Sequence, residues 1–143
     1  MSNLMKYYIN GEWVTPVSTT EMPVINPADE SVIGTILLAT DADVNLAVEA
    51  ANTAFVSYAR SSKKERLELL DSILQLSEER LAQMAKAMST EMGAPMTMSL
   101  EMQADAAVGH LQGFIDALKA QETREILPGG DTQVREPIGV CGL

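Results

Sequence analysis

The chain has 143 residues, 46% hydrophobic, 21% charged and 4% aromatic, enough for one domain whose core hides about 68–70% of the unfolded surface. Ordinary apolar content without low-complexity segments excludes disorder, collagen and coiled-coil fibre. Lys and Arg number 10 against 20 for Asp and Glu, a net charge of −10, and so acidic a surface repels phosphate backbones and anionic leaflets, which argues against nucleic acid and membrane as partners.

The chain opens on a hairpin. Tyr7-Tyr8-Ile9 and Glu12-Trp13-Val14 flank Asn10-Gly11, the dipeptide best suited to two successive positive-φ positions. A second hairpin is expected from Met22 to Ala39. Residues 23–27 run extended, Ala28-Asp29-Glu30-Ser31 turns, and residues 32–38 return. Pro23 and Pro27 cannot donate ladder bonds, which places the first strand of this pair at an edge.

Helices follow. Thr40-Asp41-Ala42-Asp43 resembles a capping box with Asp in place of Glu. Val44, Ala47, Val48, Ala51, Phe55 and Tyr58 then form one apolar stripe along a helix to about Arg60. Ser62-Lys63-Lys64-Glu65 is a full capping box opening a second helix with Leu67, Leu70, Ile73, Leu74 and Leu76 inward. Ser77 is expected to cap a third, which carries Leu81, Met84, Ala85 and Met88. Gly93 and Pro95 stop it. A fourth is expected from Met98 to Ala120, with Ala104, Ala107, Val108, Leu111, Phe114, Ile115 and Leu118 forming its stripe. Most of the nine methionines fall between Met84 and Met102, adaptable filling for an irregular helical core.

Strand character returns at the end. Ile126-Leu127 leads into the turn Pro128-Gly129-Gly130-Asp131, and Thr132 to Glu136 alternates polar and apolar. Ile138-Gly139-Val140-Cys141-Gly142-Leu143 is apolar on both faces, the pattern of a strand in a covered parallel sheet. Such a strand needs a crossover helix and a second parallel strand, and neither follows. The chain reads as cut off at the start of a doubly wound α/β domain.

Catalytic chemistry is missing from this pattern. Cys141 is the single cysteine, which excludes an internal disulfide framework and a cysteine-rich zinc site, and in a buried strand it reads as inert core. His110 is the single histidine, mid-helix beside the stripe, and its spacing brings it to no nucleophile. The pairs Asp41/Asp43 and Glu78-Glu79 read as helix-start acids serving the dipole. Pro128-Gly129-Gly130-Asp131 lacks the spacing and the following helix of a phosphate cradle. Gly139 and Gly142 are placed as a dinucleotide loop would place them, without the residues that would complete it. The expectation is no catalytic, no cofactor-binding and no metal-ligating residue in this chain. The first twenty residues lack the basic start and apolar run of a signal peptide, and no apolar stretch reaches the ~18 residues of a spanning helix, so the cytoplasm is the expected compartment.

In order along the chain, Tyr8-Ile9-Asn10-Gly11-Glu12-Trp13, Val24-Ile25-Asn26-Pro27, the Asp43 to Phe55 helix, the Glu65-Arg66 helix start, Thr90-Glu91-Met92-Gly93-Ala94-Pro95 and Arg135 to Leu143 resemble the N-terminal part of the NAD(P)-dependent aldehyde dehydrogenase superfamily. Ala94 stands where the family often has Lys, and Tyr58 where it often has Trp. The resemblance implies an α/β protein, α+β as an isolated piece. Residues 1–39 would be β-hairpins, 40–121 helices, 122–136 strands of an oligomerisation arm, and 137–143 the first strand of a truncated Rossmann-like cofactor domain. It implies an enzyme that in complete form oxidises an aldehyde to a carboxylic acid with NAD or NADP. The oxyanion-hole Asn, the general-base Glu and the nucleophilic Cys of the family would lie beyond Leu143, and Cys141 is not that nucleophile. Some relatives hold a monovalent cation on backbone carbonyls near the Asn-Pro motif, here Val24 and Ile25. Self-association is expected through residues 123–143. The contrasting reading is a non-catalytic helical assembly or binding module that keeps the scaffold.

Overall fold

In a computed structural model residues 4–142 are described. β1 (Tyr7–Ile9) and β2 (Glu12–Val14) pair antiparallel with Tyr8 opposite Trp13. Asn10 and Gly11 carry φ of 52° and 81°, the mirror-image turn that follows the strand twist. Across the pair the Tyr8 and Trp13 rings lie 5.2 Å apart, a tilted aromatic contact.

β3 (Glu21–Ile25) and β4 (Val32–Leu37) form the second hairpin, with Pro23 opposite Thr35 and a register slip between Val24 and Ile25. As expected, Pro23 sits at an edge, because the sheet has two strands. Its turn is tied locally: Ala28 N–H donates to Asn26 Oδ1 at 3.0 Å, and the Ser31 hydroxyl to Asp29 Oδ1 at 2.6 Å. Tyr7 Oη donates to the Leu37 carbonyl at 2.6 Å and joins the two hairpins.

α1 (Asp41–Tyr58) starts at Thr40 with both bonds of the capping box formed, Asp43 filling the role usually taken by Glu. Its expected stripe is only partly covered: Ala51 and Phe55 are half-buried while Val44, Val48 and Tyr58 stay exposed. The helix packs chiefly on β1, which meets its small-residue side.

α2 (Lys63–Glu79) starts at the Ser62–Glu65 box as the sequence indicates. Ser77 does not cap a third helix. It lies inside α2 with its hydroxyl donating to the Ile73 carbonyl at 2.8 Å. Its third successor is Arg80, which cannot accept the return bond of a capping box. The break falls at Arg80, and α3 (Leu81–Met92) follows. Gly93 ends α3 at φ 71°, and a Cβ there would stand 2.8 Å from Pro27 Cγ. Only glycine allows both the left-handed stop and the approach of the β3–β4 turn.

The fourth helix differs from expectation. It starts two residues early as α4 (Met96–Met98), winds through a π-helical segment (Ser99–Ala104), and becomes α5 (Asp105–Ala120). Lys63 Nζ donates to the carbonyls of Lys119 and Gln121 at 2.6 and 2.9 Å, satisfying the end of α5 from the start of α2. The core lies where α2, α3, the π-helical segment and α5 meet. Its fully buried apolar side chains, among the described residues, are Ala85, Ala104 and Ile115.

β5 (Arg124–Ile126) and β6 (Thr132–Val134) pair antiparallel around the expected turn. Arg135 steadies the base, Nη1 donating to the Glu122 carbonyl at 2.8 Å. The strand expected from Ile138 is not formed in residues 137–142, and Ile138 is 94% exposed. A parallel strand exists only against neighbours, and no described strand lies beside it. Leu143 falls outside the described residues.

Candidate functional site

Asp43 is the one charged side chain that is buried among the described residues, 4% exposed. Its Oδ1 accepts the Val17 N–H at 2.7 Å, and Oδ2 accepts the Thr40 N–H at 2.9 Å and the Thr40 hydroxyl at 2.7 Å. These bonds, that from Val17 foremost, hold its carboxyl below the ordinary value. The capping role was legible in the sequence. The bond to Val17, 26 residues earlier, was not, since no local pattern encodes it.

Beside Asp43 an open groove of about 420 Å³ runs between the first hairpin and α1, lined by Ile9, Val14, Thr15, Leu46, Glu12 and Glu49. All its ionisable groups are carboxylates. A second groove, about 560 Å³, lies along β3 and β4 with Met22, Val24, Ile25 and Ile36 on its walls and Glu91 at its edge. Neither carries a nucleophile beside a base.

The sequence-derived candidates stay apart. His110 is exposed on α5. Cys141 is exposed, not buried as its apolar neighbours implied, because no described strand lies beside it; its Sγ lies 3.9 Å from the Gly139 carbonyl. Asp41 and Asp43 do sit at a helix start. Glu78 and Glu79 instead close α2, a consequence of the misplaced cap, and Glu79 accepts from Gln75 Nε2 at 2.9 Å. Glu65 is held below its ordinary value by the Ser62 N–H and hydroxyl, so at the starts of α1 and α2 a carboxylate accepts the N–H and hydroxyl of the residue that caps its helix. Among the described residues no three His, Cys, Asp or Glu side chains stand together as a metal site. Nor is any helix of the described residues long and apolar enough to cross a membrane.

Comparison with known proteins places this arrangement. The model of the aldehyde dehydrogenase family matches residues 13–143. A 3-succinoylsemialdehyde-pyridine dehydrogenase of Pseudomonas sp. is 44% identical over 144 residues, which cover 100% of this chain and 30% of that protein. The crystal structure of an aldehyde dehydrogenase from Bartonella henselae superposes with a TM-score of 0.87 at 37% identity, covering 92% of this chain and 28% of that one. Aldehyde dehydrogenase C of Pseudomonas syringae, solved with NAD+ and octanal, follows with a TM-score of 0.85 at 33% identity, covering 89% and 26%. The chain belongs to the aldehyde dehydrogenase family. It spans about 30% of the length of the curated relatives it matches, and corresponds to their N-terminal portion.

Proposed function

We propose that these residues are the N-terminal scaffold of an NAD(P)-dependent aldehyde dehydrogenase that in complete form oxidises an aldehyde to a carboxylic acid in the cytoplasm. The observation that carries the reading is the match over 100% of this chain to about 30% of a dehydrogenase. The scaffold supplies no catalytic, cofactor-binding or metal-ligating residue. Cys141 has no base to activate it, and turnover without nucleophile, base and oxyanion donor is not supplied by binding alone. A dinucleotide does not fit the described residues. Its pyrophosphate needs an open helix N-terminus after a parallel strand, whereas the described strands pair antiparallel. Residues 122–136 act as an oligomerisation arm, and residues 137–143 become the first strand of the cofactor domain once neighbours are present. Self-association runs through residues 123–143, where Ile126, Val134 and Ile138 are 76%, 53% and 94% exposed.

A chimera tests the reading. With these residues in place of the matching part of the Pseudomonas relative, aldehyde-dependent nicotinamide reduction is expected to persist, while the 143-residue chain alone gives none. Turnover by the chain alone that survives Cys141→Ser would overturn the scaffold role.

A further inference from the structure

α1 is an 18-residue helix whose buried residue is a carboxylate, Asp43. The first hairpin meets it on the side of Ala47, Ala50 and Ala54. The stripe a quarter-turn away is open, with Val44, Val48 and Tyr58 exposed by 52%, 43% and 54%. Helices of this length draw most of their stability from packing an apolar face, and among the described residues this face is covered only in part, at the half-buried Ala51 and Phe55 and where Val44 lines a groove against the first hairpin. The chain as a whole repeats the point. Its accessible surface is 10673 Å², where a compact monomer of this mass exposes about 7,200 Å². The excess is on the scale of an obligate interface.

We infer that the Val44–Val48–Tyr58 stripe of α1 is a docking face for the part of an aldehyde dehydrogenase chain that lies beyond the 30% matched here, and that it binds that part in trans when the two are separate polypeptides. The inference rests on the scaffold reading above. Two observations select this occupant. The relatives carry more than twice as much chain again outside the matched portion, ample to supply a surface of the missing area. A second copy is disfavoured by charge: α1 carries Asp41, Asp43 and Glu49 with no basic residue, within a chain of net charge −10. Two such helices face to face would set like charges together.

The test co-expresses the 143-residue chain with a separately encoded polypeptide comprising the unmatched remainder of the Pseudomonas 3-succinoylsemialdehyde-pyridine dehydrogenase. The expected result is an equimolar complex in which the amides of residues 41–58 exchange at least about tenfold more slowly than in the free chain. Val48→Glu is expected to weaken the complex by about tenfold or more without moving the unfolding midpoint of the free chain, since Val48 is already exposed there. Glu68→Gln, on the exposed side of α2, is expected to bind as the parent does. Failure to co-purify, a complex whose residues 41–58 exchange as in the free chain, or undiminished binding by Val48→Glu would each overturn the docking face. So would a homodimer of the free chain with residues 41–58 protected, because a copy would then be the occupant. A complex that forms as described yet reduces no nicotinamide with any aldehyde would uphold the docking face and sink the enzymatic reading instead.

Discussion

The cluster of α2, α3, the π-helical segment and α5 buries Ala85, Ala104 and Ile115 completely, whereas the part that precedes it buries Pro16, Ser18 and Asp43. One half coheres by apolar burial, which is non-directional and tolerant of small shifts. The other is pinned by directed bonds: Tyr7 to Leu37, and Asp43 to Val17 and Thr40. The two halves touch at Pro27 and Gly93. The difference predicts that truncating a core side chain fells the cluster, while losing one carboxylate's charge loosens only the hairpins and α1.

The largest effect belongs to Ile115→Ala. Ile115 is the largest fully buried apolar side chain among the described residues, and truncations of this kind cost about 2–5 kcal/mol. Denaturant unfolding followed by helical circular dichroism should show the midpoint fall steeply. A loss below about 1 kcal/mol would mean that the cluster is not where the apolar stability resides.

Gly93→Ala comes next and strikes the joint between the halves. A left-handed non-glycine residue costs about 1–2 kcal/mol, and the contact with Pro27 Cγ at 2.8 Å adds to it. Pairing it with Pro27→Ala in a double-mutant cycle separates the two causes. Partial recovery in the double variant is expected, and strict additivity would show that backbone strain alone is at work.

The smallest effect, and the most selective, is at Asp43. Its folded-state value lies below the ordinary 3.8, so the stability it contributes is present above that value and is lost as pH falls through and below it. Trp13, the single tryptophan, reports on the hairpin beside it. Its fluorescence should shift under acid before helical signal is lost, and Asp43→Asn should show the shifted state already at neutral pH. Glu65, lowered from 4.5, gives the cluster an acid dependence of its own, which the Asp43 variant should leave unchanged. A simultaneous loss of both signals in the parent would erase the proposed distinction between the halves.

The features legible in the sequence are those whose cause is local. Asn10-Gly11 sets its own turn, Ser62 and Glu65 bond each other across one helical turn, and Gly93 before Pro95 ends α3 by backbone geometry. Misreadings occur where a distant partner decides. The Val44–Tyr58 stripe was periodic enough to place a helix but could not say whether anything lies against it. Residues 138–143 have the composition of a covered strand, and composition does not supply the cover. Ser77 misled because a hydroxyl that accepts from a helix start can equally donate back to a carbonyl four residues earlier. The bond between Asp43 and Val17 stayed hidden because the two are joined only by the fold.

The π-helical segment acts as a phase shifter. Ser99 and Ala104 are both fully buried although five residues apart, a spacing that in an α-helix would turn them about 140° from each other. Winding with i→i+5 bonds brings them to one side. The turn at Met96–Met98 and the helix from Asp105 are thus out of step, and no single apolar stripe can be drawn through both. Removing one residue from Ser99–Ala104 would absorb the π-helical winding with little rotation of α5, whereas winding all six residues as ordinary α-helix would rotate everything after them by about 100° relative to Met96–Met98. Ile115 would then leave the face it shares with α2 without any change in the sequence of α5. The side of the last helix that faces the core is therefore encoded by a count of residues upstream, as much as by the residues that fill it.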